Sequence, residues 1–125
     1  MNIVLWVIQA LLAAAFLMAG IMKTLRPKEQ LAPKMPWTED FSPLSIKCIG
    51  LAEFLAALGL VLPPLTGILP VLTAWAALGL TLVMLGAVGT HIRRKEPSAI
   101  AFTAVLAVLA ASVAYGRFVL VPFGM

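Results

Sequence analysis

The sequence predicts an all-α integral membrane protein, a bundle of four transmembrane helices. Of its 125 residues, 62% are hydrophobic and only 11% are charged, and the mean hydropathy is +1.07. Soluble domains carry about 45–50% apolar and about 25% charged residues. A soluble chain this short has too small an interior to hide such an apolar excess. The composition therefore excludes a soluble monomer, a disordered chain and a secreted disulfide scaffold.

Four apolar runs, each long enough to cross a bilayer, form a single domain over residues 1–125. They do not alternate between apolar and polar residues, which argues against strands, and lipid cannot satisfy an open strand edge. The four expected spans cover approximately residues 1–22, 44–62, 68–90 and 98–121.

The boundaries of the spans follow from charges and prolines. No basic residue precedes the first apolar run, so we expect a retained span rather than a cleaved signal peptide. In the polar, proline-rich segment after it, Trp37 and Phe41 are expected at the membrane interface. Pro63-Pro64 is expected to end the second span. Pro97-Ser98 fits the start of the fourth.

Basic residues concentrate in two loops, and the turn between the second and third spans carries no charge. The basic residues of these loops are Lys23, Arg26, Lys28, Lys34, Arg93, Arg94 and Lys95. The positive-inside rule then places both loops in the cytoplasm and both termini outside it. Because the basic residues lie between apolar runs, the net charge of +4 indicates contact with membrane lipids and not with nucleic acid.

Glu53 is the clearest candidate for a functional residue. It lies inside the second span, about 13 Å from its start at about 1.5 Å per residue. A charge at this depth is costly, so it is expected to face the bundle interior. Gly50 and Ala57 share its helix face, which predicts that another helix packs closely there. Two interpretations stay open: a carboxylate that handles protons or binds a ligand, and a structural ion pair or interhelical hydrogen bond.

The other candidates lie near the ends of the spans. Lys23 and His91 either extend to headgroups and solvent or converge with Glu53 on one inner cavity, where the three are predicted to be catalytic. Near the outer membrane face, Arg117 either reaches the headgroups or forms an inward ligand-binding site with Gln9. The length of a span, about 30 Å, separates Arg117 from the first group.

Several kinds of site are excluded by counting residues. One cysteine, Cys48, and one histidine cannot form an intrachain disulfide, a thiol relay or a structural zinc site, and no metal site is expected. Haem on His91 as a single axial ligand is not favoured. Small residues recur at four-residue spacing, as in Ala110 and Ala114; packing within the bundle explains them, and a homo-oligomer interface is the alternative.

Four short patterns stand in order at the span ends. They are Ala19-Gly20-Ile21-Met22-Lys23, Gly50-Leu51-Ala52-Glu53, Gly86-Ala87 with His91-Ile92-Arg93, and Arg117. In these patterns the chain resembles, over nearly its whole length, the DoxX-like family of small four-span bacterial membrane proteins. The resemblance implies a protein of the bacterial inner membrane, and some relatives are associated with quinone-linked sulfur oxidation or with complexes that handle oxidative stress. The matched patterns also point to Lys23, Glu53, His91 and Arg117 as the candidate site residues, the same four that the burial argument indicates.

Three functions remain as alternatives, and whether the chain is an enzyme stays open. The first is a membrane subunit that binds a quinone or similar lipophile, with Glu53 exchanging a proton and His91 or Lys23 bonding a carbonyl. Electrons would come from a partner oxidoreductase subunit. The second is a non-catalytic scaffold or anchor that docks a cytoplasmic partner on Arg93, Arg94 and Lys95. The third is a carrier or isomerase for a small hydrophobic substrate.

Overall fold

The structure, a computed structural model, describes residues 2–33 and 35–122. This part of the chain is all-α. In chain order its elements are α1 (Asn2–Leu25), α2 (Lys28–Leu31), a 3₁₀ helix (Pro36–Asp40), α3 (Pro43–Thr66), α4 (Leu72–Arg94), α5 (Pro97–Tyr115) and a π-helical turn (Gly116–Leu120). The expected span start at Met1 and the loop cation Lys34 lie outside the described residues.

Four segments of the described chain are long and apolar enough to cross a membrane: Asn2–Leu25, Pro43–Thr66, Leu72–Arg94 and Pro97–Leu120. Only 22% to 33% of each apolar stretch is buried inside the protein, so most of these side chains are left to face lipid. The predicted four-helix membrane bundle is therefore confirmed, and the chain is a multi-pass membrane protein.

The second span does not end where the sequence predicts. Helix α3 continues through Pro63-Pro64 to Thr66, so the expected end at residue 62 is wrong. It stops at Gly67, whose φ of 75° is the left-handed conformation that commonly ends helices.

Side chains from two other helices allow α3 to continue. A proline has no N–H to bond the carbonyl four residues earlier, so the two prolines leave the carbonyls of Gly59 and Leu60 without helical partners. Thr73 Oγ1 of α4 donates to Gly59 O at 3.1 Å, and Gln9 Nε2 of α1 donates to Leu60 O at 2.7 Å. These bonds replace the missing backbone bonds and tie three helices together.

The third span is shifted along the chain. Residues 68–71 form a turn in which Leu69 has a φ of 47°, and α4 then runs four residues past the expected end at Thr90. Its last turn contains His91, Arg93 and Arg94. Basic side chains there are favoured by the negative end of the helix dipole.

The helices pack as two pairs, α1 along α3 and α4 along α5, which meet mainly through α3 and α4. At the first pair a Cβ built on Gly20 would lie 2.6 Å from Gly50 O, and one on Gly50 would lie 2.6 Å from Lys23 Cβ. Only glycine permits this approach, because any side chain there would collide with the opposite helix. Lys23 and Glu53, three residues beyond the two glycines, are thereby held next to each other.

Candidate functional site

The centre of the site is an ion pair between two membrane spans. Lys23 Nζ lies 2.6 Å from Glu53 Oε1, and the two residues are 8% and 0% exposed. Of the two expectations for Lys23, the inward one is observed, since its ammonium points at Glu53 and not at the headgroups. The second carboxylate oxygen, Glu53 Oε2, is buried and has no hydrogen-bond partner among the described residues.

The 3₁₀ helix covers this pair at one end of the bundle. The ring of Trp37 lies 5.2 Å from Lys23 Nζ, a distance at which a cation is attracted to an aromatic face. Phe41 packs edge-on against Trp37, with 5.5 Å between ring centres. Trp37, expected at the membrane interface, is thus also a wall of the buried polar site.

A chain of charged side chains connects the 3₁₀ helix to the corner between α4 and α5. His91 Nδ1 lies 2.7 Å from Glu96 Oε1, and Arg94 Nε donates to Glu96 Oε2 at 3.3 Å. Arg94 Nη1 also donates to Asp40 Oδ1 at 3.0 Å. The hydrogen bond with His91 lowers the pKa of Glu96; partial desolvation opposes this, and Arg94 adds to the lowering. Glu96 is therefore an ionised anchor for the imidazole.

Two cavities border the Lys23–Glu53 pair. The larger, of about 680 Å³, lies among α1, α4, α5 and the 3₁₀ helix, and the smaller, of about 420 Å³, lies between α3 and α4. Six residues line both: Lys23, Trp37, Glu53, Met84, Ala87 and His91. Drug-sized ligands occupy pockets of about 300–1,000 Å³, so each cavity has room for a small molecule.

Both cavities reach the outer surface of the spans. Met18 and Phe102, which line the larger cavity, are 67% and 65% exposed. Leu82, which lines the smaller, is 63% exposed. Each cavity is therefore bordered by side chains on the surface that faces lipid.

A second polar cluster lies at the opposite end of the bundle. Arg117 Nε donates to Gln9 Oε1 at 2.7 Å, and Arg117 Nη1 donates to Asn2 Oδ1 at 2.8 Å and to Val121 O at 3.0 Å. Trp6 lies under the guanidinium, 5.9 Å away. Gln9 Nε2 also donates to the Leu60 carbonyl, so both the oxygen and the nitrogen of the Gln9 amide form hydrogen bonds between helices. Neither Gln9 nor Arg117 lines the two cavities around Glu53.

The structure brings Lys23, Glu53 and His91 together, which is one of the two alternatives that the sequence left open, and it places Gln9 with Arg117 at the other end. Their catalytic and ligand-binding roles stay predictions. Sequence reasoning missed Glu96, whose position five residues after the only histidine and directly before Pro97 was an available signal. It also missed that Arg94 is engaged internally, which leaves Arg93 and Lys95 as the exposed members of the basic cluster.

Comparison with known proteins gives one family: the DoxX-like family matches residues 7–113. No curated protein and no solved structure matches the chain. The matched range contains Gln9, Lys23, Glu53 and His91, whereas Arg117 lies beyond it.

Proposed function

The chain belongs to the DoxX-like family, and from this membership and its buried polar centre we propose that it is a membrane subunit that binds a lipophile of the quinone class for an oxidoreductase system. The observation that carries the proposal is the position of Glu53. A fully buried carboxylate with one unpartnered oxygen borders two largely apolar cavities that reach the lipid-facing surface. Intramembrane ionisable groups in such positions mark functional sites.

The charges around the larger cavity favour a neutral ligand. Lys23 is paired with Glu53, and Glu96 is paired with Arg94, which also contacts Asp40. The charged side chains that line the larger cavity, Lys23, Glu53 and Glu96, are therefore each held by a partner of opposite charge and are not free to recognise a charged metabolite. Met18, Met22, Phe16 and Leu106 supply the apolar walls that a lipophile needs.

The polar residues then have separate tasks. Glu53 accepts or releases the proton that accompanies a change in the redox state of the bound head group. Lys23 stabilises the carboxylate form of Glu53. His91, oriented by Glu96, hydrogen-bonds the head group. The electrons are exchanged with a partner subunit that carries its own redox centre.

For the setting of this reaction we propose the bacterial inner membrane. The loops that follow α1 and α4 lie at the same end of the bundle, as the contact between Asp40 and Arg94 demonstrates. Both loops are basic, so the positive-inside rule places this end, with the polar centre, towards the cytoplasm and both termini outside it.

The test is to identify what the protein carries from its own membrane. The protein would be extracted directly into native-lipid nanodiscs, and small molecules would be quantified by mass spectrometry relative to phospholipid. We expect a quinone-class lipid at about one molecule per protein, enriched above the surrounding membrane, and lost in Glu53→Gln.

Glu39→Gln is the matched control, because Glu39 is exposed and lines neither cavity. It should retain the lipid. If wild type, Glu53→Gln and Glu39→Gln carry the same lipids in the proportions of the bulk membrane, the proposed function is wrong.

A further inference from the structure

We propose that the smaller cavity, between α3 and α4, binds one anionic phospholipid of the surrounding membrane, with the lipid phosphate on Arg93 and an acyl chain between the two helices. This site is separate from the proposed function, because the neutral lipophile is assigned to the larger cavity. The basis is an unpaired cation at one end of an apolar cavity that is about as long as half a bilayer is thick.

The cation is Arg93, in the last turn of α4. It is exposed, it lines only the smaller of the two cavities, and it has no hydrogen bond or ion pair within the described part of the chain. Lys23 and Glu53, which also line this cavity, pair with each other. His91, the other titratable lining residue, contacts Glu96. Arg93 is therefore the charged group left to bind an anion, and a guanidinium matches the oxygen atoms of a phosphate.

The cavity follows the face of α4 that leads to this cation. Its lining residues on that helix begin at Leu82 and end at Arg93. At about 1.5 Å per residue they lie about 16 Å apart, close to half of the roughly 30 Å hydrocarbon core. Because the span formed by α4 ends at Arg94, Arg93 lies at headgroup depth and Leu82 near the centre of the bilayer. The cavity thus has the length of one acyl chain below one headgroup.

The walls between these two ends suit a hydrocarbon chain. Ile49 of α3 faces Val83 and Gly86 of α4 across the cavity. No atom lies within 4 Å of a Cβ built on Gly86, so the cavity is open at this point. A soluble anion would contact none of these walls. A phospholipid fills the space with its chain and brings its phosphate to Arg93 at the same time.

Net charge distinguishes one phospholipid from another at this site. A zwitterionic headgroup carries an ammonium of its own, which the guanidinium of Arg93 repels. An anionic headgroup lacks this opposing charge. One basic residue near the membrane surface favours an anionic lipid by about fivefold in affinity. The geometry therefore favours a lipid such as phosphatidylglycerol over phosphatidylcholine.

The experiment counts the lipids that the protein keeps when it leaves a bilayer of known composition. The protein is reconstituted into nanodiscs with equal amounts of phosphatidylcholine and phosphatidylglycerol of identical acyl chains, and native mass spectrometry identifies the lipids that stay bound. We expect about one retained lipid per protein, with phosphatidylglycerol about fivefold more frequent than phosphatidylcholine. This wild-type measurement requires no variant to fold. Since no quinone is present, it does not depend on the proposed function.

Two pairs of variants locate the retained lipid. Arg93→Gln should abolish the preference for phosphatidylglycerol, whereas Lys95→Gln, at an exposed cation that does not line the cavity, should keep it. Gly86→Leu places a side chain in the open part of the cavity and should abolish retention. Gly89→Leu is its control, because Gly89 also has no atom within 4 Å of a built Cβ but lines neither cavity.

Three results would overturn the proposal. The first is wild type that keeps no lipid, or keeps the two lipids equally. The second is an equal effect of Arg93→Gln and Lys95→Gln, since the basic loop would then attract anionic lipid without a defined site. The third is a lipid that Gly86→Leu leaves in place, because it would lie outside this cavity.

Discussion

Lys23 and Glu53 form their ion pair three residues beyond the close contact between Gly20 of α1 and Gly50 of α3. The pair is almost completely buried, so neither charge is exposed to bulk water. This makes the two residues interdependent, and their separate contributions to stability and to binding are accessible to substitution.

Lys23→Met should destabilise the protein by about 3–5 kcal/mol, the usual cost of leaving one partner of a buried ion pair uncompensated. The double variant Lys23→Met with Glu53→Gln should recover most of that loss, because no unpaired charge remains. Unfolding in a denaturing detergent titration measures both. If Lys23→Met unfolds at the same detergent fraction as wild type, Glu53 is not dependent on Lys23 for its charge.

The same two variants separate folding from function. We expect the double variant to be stable and yet unable to retain a quinone-class lipid, because the proton-handling group is gone. Retention of the lipid at the wild-type level by the stable double variant would contradict the role assigned to Glu53.

The close approach of the first two long helices depends on glycine at position 50. Gly50→Ala would place a methyl group 2.6 Å from Lys23 Cβ and 2.8 Å from the backbone of Thr24, so the helices must separate. We expect a loss of stability of about 1–3 kcal/mol from such overpacking and a weaker Lys23–Glu53 contact. Gly79→Ala is the matched control, since no atom lies within 4 Å of a Cβ built there.

In the control, alanine should be neutral or stabilising by up to about 1 kcal/mol, because glycine is the poorer helix former. Detergent unfolding of the two variants side by side gives the comparison. Equal behaviour of Gly50→Ala and Gly79→Ala would mean that the α1–α3 contact tolerates a methyl group.

Acid should loosen the corner between α4 and α5. The hydrogen bond with His91, followed by Arg94, lowers the pKa of Glu96 in the folded protein. A group whose pKa is lower when folded stabilises the fold above its unfolded pKa, about 4.3 for glutamate, and this contribution disappears as the pH falls through the lowered folded value. Wild type should therefore melt above Glu96→Gln at neutral pH, with a difference that shrinks only in acid.

Thermal melts of wild type and Glu96→Gln between about pH 7 and pH 3 measure this difference directly. Glu39→Gln, with an exposed side chain, should show no such pH-dependent gap. A gap that stays constant down to the acid end would mean that the carboxylate of Glu96 gains nothing from its partners.

Some features of the fold and of the candidate site could be predicted from the sequence, and others depend on contacts between helices. The four spans follow from hydropathy, and Glu53 stands out because a charge within an apolar run has few structural alternatives. Lys23 and His91 at span ends were ambiguous, since the same residues are also common in the headgroup region. The predicted topology allowed them to lie near Glu53, but their inward direction depends on the Gly20–Gly50 contact and on Glu96, which are tertiary features.

The error at Pro63-Pro64 has a comparable origin. Local rules end a helix at a proline because a carbonyl loses its partner. Here the replacement donors are Gln9 of α1 and Thr73 of α4. Because both lie on other helices, no local sequence pattern around the prolines predicts them. In lipid such a replacement is compulsory, because water is not available to the exposed carbonyls.

This replacement gives the sharpest test of the fold. Thr73→Val keeps the shape of the side chain but leaves the Gly59 carbonyl unpaired, so it should cost about 1 kcal/mol. Pro63→Ala restores a backbone N–H to that carbonyl, and in its background Thr73→Val should cost almost nothing. Detergent unfolding of wild type, the two single variants and the double variant gives the coupling energy between positions 63 and 73.

Thr81→Val is the control, because Thr81 Oγ1 donates to a carbonyl, Ala77 O, that no proline deprives of its helical partner. Additive costs for Thr73→Val and Pro63→Ala would mean that Thr73 is not what allows α3 to continue past its prolines.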